Sequence, residues 1–347
     1  MKISRAKKKS GFAIIIAMVA VTVLTLLAGA FAYSMKVETR LAQNSDNDEQ
    51  LLWLGRAGVE RARWILAQEP GNYSSLNQVW AGGGGEGPET NGPLAGVSLD
   101  NFPVGDGNVS LKIIELESKI NINTAPAPLL QQVLTTQGAN AGDINTVSDS
   151  ILDWVNAGDA TRPAGAKSDY YQGLNPPYYA KDAPMDDISE LLLVKGVSLA
   201  MFKGGSVTND QGAAFQHHHL GFGNAPGQMP DYAFGLQDVF TPFSLGKVNI
   251  LTASDTVLQL IPGMDTTAAQ DIQTARASDP PIRNIDQLLA AAHIPAAAQA
   301  QIKNYVGVLG STYEVHATAH IGDYSREFVA ILCRNGPNVD VFGFYWK

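Results

Sequence analysis

Three hydrophobic patterns follow one another along the chain. From Phe12 to Tyr33 the run FAIIIAMVAVTVLTLLAGAFAY holds no charge. As a helix, about 22 such residues span roughly 30 Å of hydrocarbon. Beyond it, Val37, Leu41, Leu51, Leu54, Ala57, Gly58, Ala62, Ile65 and Leu66 recur at mostly three- to four-residue spacing, with charges between them. That spacing predicts a continuing helix with one apolar face. No proline occurs from Met1 to Glu69, and Pro70-Gly71 supplies the stop. The expectation is a single helix from Phe12 to Gln68, roughly 85 Å long at 1.5 Å per residue.

The second pattern is strand-like. Val109–Leu116 (VSLKIIEL) has β character, as do Tyr313–Ile321, Glu327–Cys333 and Val339–Tyr345 near the C-terminus. Gly322-Asp323 and Asn335-Gly336-Pro337 mark turns between the last three, which predicts hairpins. Val109–Leu116 must pair with them across nearly two hundred residues, so an insertion intervenes. Residues 70–108, with Gly82–Gly85, read as a flexible loop; the glycines lack the Lys-Ser/Thr ending of a phosphate loop.

The third pattern is an internal echo. Lys119-Ile-Asn-Ile-Asn-Thr-Ala-Pro precedes an apolar helix beginning near Pro128, and Lys247-Val-Asn-Ile-Leu-Thr-Ala-Ser precedes another near Thr256. Each copy reads as an extended piece, an Asn-rich turn and a Thr helix cap. Further helices are expected at Val147–Asn156 and Ile188–Val194 in the first copy, and at Ala268–Ala277 and Ile285–Ala291 in the second. Leu260-Ile-Pro-Gly-Met-Asp and Leu193-Val-Lys-Gly-Val-Ser resemble helix-hairpin-helix turns. The fold class is therefore α+β, with a long N-terminal helix, an antiparallel sheet and a large inserted helical domain of two helix-hairpin-helix, SAM-like modules.

Charge adds a location. The chain has 347 residues and a net charge of −9, yet Lys2, Arg5, Lys7, Lys8 and Lys9 precede the apolar run. The remainder holds 19 basic against 33 acidic residues, a net of −14. The basic flank should stay cytoplasmic and the body lie outside. An acidic body argues against nucleic acid, because phosphate neutralisation needs basic clusters, and Asp186, Asp187, Glu190, Asp255, Asp265 and Asp271 flank the hairpin turns. With one cysteine, Cys333, no internal disulfide can form. No Gly-x-Ser-x-Gly or His-Glu-x-x-His motif occurs, so no enzyme is expected. His316 and His320 share one strand face, read as polar and exposed; Phe342, Phe344 and Trp346 share another, read as core.

Three fates are open to the apolar run. A Sec signal peptidase would cut after Ala30-Phe31-Ala32, a plain anchor would stay whole, and a prepilin peptidase would cut between Gly11 and Phe12. Lys7-Lys8-Lys9-Ser10-Gly11 followed by Phe12 resembles the last of these, the class III leader of type IV pilin-like subunits. That resemblance implies N-methylation of Phe12. Such subunits usually carry Glu at the fifth mature position; here it is Ile16. A buried carboxylate is costly unless paired, and a subunit with no neighbour above it needs none. Ile16 therefore points to a filament tip.

Longer segments carry a family resemblance. Asp149–Pro163 (DSILDWVNAGDATRP), Gly165–Tyr171 (GAKSDYY), Leu174–Tyr178 (LNPPY) and Pro184–Val197 (PMDDISELLLVKGV) join the Ile120–Pro126 segment and the leader. Together they resemble the type II secretion minor pseudopilin K (general secretion pathway protein K) family. The resemblance implies a pilin-like fold divided as leader (1–11), transmembrane and stem helix (12–69), loop and first strand of the body (70–118), inserted helical domain (119–245), second helical module (246–310) and closing strands (311–347). It implies a non-enzymatic subunit, held in the inner membrane through residues 12–33 with its body in the periplasm. There it would sit at the tip of the pseudopilus, initiate its assembly and support export of folded proteins. Implied partners are minor pseudopilins I and J, major pseudopilin G, the prepilin peptidase, and secreted cargo or the secretin. A minor pilin of a type IV or DNA-uptake system, and a Sec-secreted protein, remain the alternatives.

Some members of that family bind calcium in the helical domain. Calcium takes six to eight oxygen ligands, and Asp153, Asn156, Asp159 and Asp169 are the candidates. No other cofactor is expected. The family often has a second acid where Asn156 stands and Glu where Lys167 stands. A further departure is His217–His219 within Gly204–Tyr232, read as a variable surface loop.

Overall fold

The computed structural model describes residues 10–84, 92–205, 232–278 and 281–347. Helix α1 runs unbroken from Ser10 to Gln68, 59 residues. Its apolar half is rich in β-branched residues, which favour helices weakly, but no glycine pair or proline interrupts it. Thr22, Thr25 and Thr39 return their hydroxyls to the carbonyls of Met18, Val21 and Met35, four residues back, so their polar groups are satisfied within the helix. At the other end the Arg334 guanidinium donates to the carbonyls of Glu69 and Pro70. A cation there satisfies carbonyls that the helix leaves unpaired.

Only the last third of α1 packs. Leu51, Leu54, Val59, Ala62, Ile65 and Leu66 are buried, whereas Val37 and Leu41, expected on the same apolar face, are exposed. The stem therefore projects beyond the body before it becomes a core helix. Its packed part lies on a five-stranded antiparallel sheet of order β1-β2-β7-β8-β9. The strands are β1 (Phe102–Val104), β2 (Gly107–Glu115), β7 (Thr312–Ile321), β8 (Tyr324–Asn335) and β9 (Asn338–Trp346). Helix and sheet approach closely at two glycines. A Cβ on Gly55 would enter the Phe328 ring, and one on Gly58 would lie 2.9 Å from Val109 and 3.1 Å from Ala317.

The strand separated by two hundred residues pairs with the C-terminal strands as expected. Val109 faces Ala319 and Glu115 faces Tyr313 in the β2–β7 register. Odd-numbered residues of β2 and β7 and even-numbered residues of β8 point to α1: Val109, Leu111, Ile113, Val315, Ala317, Phe328, Ala330 and Leu332 form that core. On β9 the expected face breaks. The register passes from Leu332–Val341 to Ile331–Gly343, so Phe342 is an extra residue in a bulge. Phe344 stacks on Phe328 with ring centroids 5.6 Å apart, but Phe342 is 75% exposed and Trp346 68%. The three aromatics are thus not a common core face.

Residues 70–84 and 92–101 are not the flexible loop expected. Tyr73, Val79, Trp80 and Leu94 are buried, a 3-10 turn spans Val79–Ala81, and the Trp80 ring meets Tyr313 edge-on at 5.3 Å. Trp80 supplies much of the apolar surface that holds this glycine-rich segment against the body.

The insert contains α2 (Ala127–Gln137), α3 (Ala141–Val155), α4 (Ser168–Gln172), α5 (Leu199–Lys203), α6 (Leu236–Val239), α7 (Asp255–Gln259), α8 (Thr266–Arg276), α9 (Ile285–Ala291) and α10 (Ala296–Ile302). A 3-10 helix, Ile188–Leu193, precedes α5. One continuous apolar core joins both halves. The echo is real in three dimensions. Short strands β3 (Ile120–Asn121) and β4 (Phe240–Thr241) pair in parallel, and so do β5 (Val248–Asn249) and β6 (Val306–Gly307). The Oδ1 of Asn121 accepts the Asn123 amide and that of Asn249 accepts the Leu251 amide. Lys119 and Lys247 reach the carbonyls of Gln237 and Lys303. The helix caps differ from expectation: Pro126 and Ser254, not the threonines, hold the N-cap positions. Gly263 separates α7 from α8 at φ +90°, and Gly196 separates the 3-10 helix from α5 at φ +87°. These hairpin turns hold different places in the two copies. Gly138 (φ +94°) matches Gly263, while His293 (φ +55°) matches Gly196.

Candidate assembly site

The largest unsatisfied surface is the free part of α1. Phe12, Ile14, Ile15, Ile16, Met18, Val19, Val21, Val23, Leu24, Leu26, Leu27 and Phe31 are all exposed, on every side of the helix. No contact with the other described residues covers this surface, and its length and composition are those of a membrane-spanning helix. Gly11 and Phe12 lie within the first turns of α1, and Ile16 one turn further on. The basic residues Lys2 to Lys9 lie outside the described residues. The helix also continues without a break through Ala30-Phe31-Ala32.

A second notable region is where the insert leaves and rejoins the sheet. Glu115 ends β2 fully buried, accepting from Asn249 Nδ2 at 2.9 and 3.0 Å and from the Thr252 hydroxyl. Asn249 Nδ2 also donates to the Ser74 carbonyl at 3.0 Å. Burial pushes the Glu115 carboxyl up to about 8, against the pull of hydrogen bonds from Thr252 and Asn249. Glu117 accepts from the Leu245 amide at 3.2 Å, the Ser311 hydroxyl at 3.0 Å and the Thr312 amide at 3.0 Å. One carboxylate thus holds the insert's second entry and its exit. Arg276, its guanidinium lowered to about 10 by burial, caps the turn below through the Ala253 and Ile250 carbonyls. The sequence reading missed both glutamates. The available signal was two acids in the apolar run Ile113-Ile114-Glu115-Leu116-Glu117, since glutamate is almost never fully buried unless partnered.

The third region contains the calcium candidates. Asp153 and Asn156 come together, at the end of α3, but Asp159 and Asp169 are exposed. The Asp153 carboxylate is committed to Arg162, at 2.7 Å to the guanidinium and 3.0 Å to the amide. Asn156 contributes its main-chain carbonyl, to Lys167 at 2.6 Å. Among the described residues no three His, Cys, Asp or Glu side chains are grouped to hold a metal ion. The set expected from the resemblance does not fit calcium here. The His217–His219 loop lies outside the described residues.

On the sheet face away from α1, His316 links Glu314 at 2.8 Å and Glu327 at 2.6 Å. The hydrogen bond that the imidazole donates to Glu314 is the main cause of its raised pKa. His320 is exposed on the same face, so the polar face holds one paired and one free histidine.

Residues 109–204 match the family model described as "Type II secretion system (T2SS), protein K", and residues 244–307 match one described as "Helix-hairpin-helix motif". Curated relatives carry the same name. Residues 109–204 carry the type II secretion system protein K domain, and the chain is similar to curated proteins of that name. It is 22% identical over 218 residues to the Type II secretion system protein K of Aeromonas hydrophila, covering 56% of this chain and 61% of the relative. It is 22% identical over 213 residues to that of Klebsiella pneumoniae, covering 56% and 60%. The chain therefore spans about 60% of the length of the curated protein K relatives it matches. A solved structure, described as the GspK-GspI-GspJ complex from the enterotoxigenic Escherichia coli Type 2 Secretion System, has a chain that aligns with a TM-score of 0.65. That match is 15% identical and covers 88% of this chain and 99% of the other. It shows a shared fold, and the separate helix-hairpin-helix match spans α7–α10.

Proposed function

We propose that this protein, similar to type II secretion system protein K, is a non-enzymatic minor pseudopilin of a type II secretion pseudopilus. The carrying observation is the division of α1: an apolar first half that none of the described residues covers and a last third built into the body's core. Before assembly a membrane covers the free half. In a filament, neighbouring stem helices replace the lipid, since both offer apolar surface and neither leaves backbone groups unpaired. A prepilin peptidase cuts between Gly11 and Phe12 and methylates Phe12, leaving the body on the periplasmic side of the inner membrane.

Ile16 supports a place at the tip. A carboxylate one turn into the mature helix, deep in apolar surroundings, needs a neighbour's amine, and Ile16 makes no such demand. The body and insert then cap the filament, resting on minor pseudopilins I and J above major pseudopilin G. The solved relative, described as a complex with GspI and GspJ, supports the first two partners. Initiation of assembly, and contact with exported cargo or the secretin, belong to the same reading.

The test is the mass of the mature N-terminus after co-expression with the prepilin peptidase, followed by co-purification with I and J. N-methyl-Phe12 and a ternary complex are the expected results. A chain beginning at Tyr33 would sink the proposal, because Sec cleavage removes the helix on which it rests.

A further inference from the structure

We propose that the Lys167 ammonium is a built-in cation that holds the 153–182 lobe of the insert in shape without a divalent metal. Lys167 is 8% exposed, unusual for a lysine. Its Nζ lies 2.7 Å from the Asp153 carbonyl, 2.6 Å from the Asn156 carbonyl and 2.5 Å from Asp182 Oδ1. An ammonium has three N–H groups and no acceptor, so these three oxygens saturate it. The distances are those of charge-assisted hydrogen bonds.

The surroundings are built for this. The two carbonyls come from the last turn of α3 and the residue after it, the negative end of a helix of fifteen residues. Asp182 takes φ +51°, a left-handed conformation that aspartate tolerates better than most residues, and this brings its carboxylate to the ammonium. The neighbouring acids are already engaged. Asp153 holds Arg162, and Asp149 Oδ2 accepts the Ala164 amide at 3.1 Å. A Cβ at Gly165 would strike the Asp153 carboxylate, so the loop closes tightly over it.

A calcium ion would need six to eight oxygens. Three oxygens accept from the ammonium here, and the lysine's own charge fills the position. The lysine does one thing a free ion cannot: it is covalently part of the lobe, so the clamp does not depend on ion concentration. The inference concerns the fold of the insert, and stands whether or not the chain caps a pseudopilus.

Hydrogen exchange measured by mass spectrometry on the detergent-solubilised full chain tests it. The reporters are the amides of Arg162, Ala164, Gly165 and Tyr170, each hydrogen-bonded within the lobe. In the wild type, protection of peptides across 153–172 should be the same in EDTA and in 2 mM calcium chloride. Lys167→Met, similar in length but uncharged, should exchange there at least tenfold faster while peptides of β7 and β8 keep their rates. Lys167→Glu should lose protection in EDTA and regain it with calcium, because the carbonyls and Asp182 then face an added carboxylate. A wild-type lobe that loses protection in EDTA, or a Lys167→Met lobe that exchanges like wild type, overturns the proposal. If both variants fail to fold, a wild-type lobe that loses protection in EDTA still overturns the proposal.

Discussion

Glu115 should make this protein less stable as the pH rises from 5 to 8. Its carboxyl is held at about 8 in the folded chain against an ordinary value of 4.5. Between those values the folded state binds more protons than the unfolded state, so stability falls with rising pH. At 1.36 kcal/mol per unit, the loss from pH 5 to pH 8 integrates to about 3.5 kcal/mol. Relaxation around the ionised group lowers that to roughly 2–3 kcal/mol, still a large share of a domain's total stability. Glu115→Gln removes the ionisation and retains a carbonyl that can accept from Asn249 or Thr252. The assay is urea unfolding of the detergent-solubilised chain at pH 5, 6, 7 and 8. Tryptophan fluorescence reports it, with Trp80 packed edge-on against Tyr313 beside the cluster. The wild type should lose stability steadily, and Glu115→Gln should lose most of that slope and exceed the wild type at pH 8. The magnitude comes from the slope, so a constant penalty for a lost hydrogen bond does not affect it. Parallel pH dependences for wild type and variant would refute the reasoning.

Two further perturbations follow from packing and charge. Gly58→Ala places a methyl 2.9 Å from Val109 and 3.1 Å from Ala317, so α1 must shift off the sheet; overpacking of this kind costs about 1–3 kcal/mol, read as a lower urea midpoint with unchanged m-value. His316, its pKa raised chiefly by Glu314, contributes stability that is full below pH 6.5 and is lost as the pH rises through its folded pKa. His316→Gln should remove on the order of 1 kcal/mol at pH 5.5 and much less at pH 8, and equal losses at both would exclude an ionic contribution.

Much of the architecture is legible in residue patterns, because pattern and structure obey the same period. The 3.6-residue repeat and the missing proline predict α1, and it ends at Gln68 as Pro70-Gly71 requires. The β character of Val109–Leu116 predicts β2, and the insertion follows from its distance to β7. Failures occur where a local signal competes with a tertiary one. Residues 70–84 contain glycines that suggest mobility, yet Trp80 and Tyr73 fix them by burial against the body and insert. Phe344 and Trp346 alternate correctly, but the extra residue at Phe342 is a register event, which composition does not encode. Lys167 stands out in the sequence as a departure from the family pattern. What it does there depends on Asp182, fifteen residues on, and on two main-chain carbonyls that carry no side-chain signature.

The junction shows why the sheet tolerates so large an insertion. Glu115 and Tyr313 are opposite one another in the β2–β7 ladder, so the chain leaves and returns at adjacent points. The ladder itself needs nothing from the residues between. What the insertion does need is a fixed orientation, because two short connections at one edge would otherwise act as a hinge. Apolar contact alone gives little angular definition, since it is non-directional. Buried carboxylates are directional. Glu117 grips both connections at once, and Glu115 grips the Asn249 turn of the second module together with its Thr252. Removing one partner from such a network leaves a buried polar group unpaired, which costs more than the hydrogen bond contributed. The orientation of the insert on the body is therefore set by the same groups that make the fold sensitive to pH.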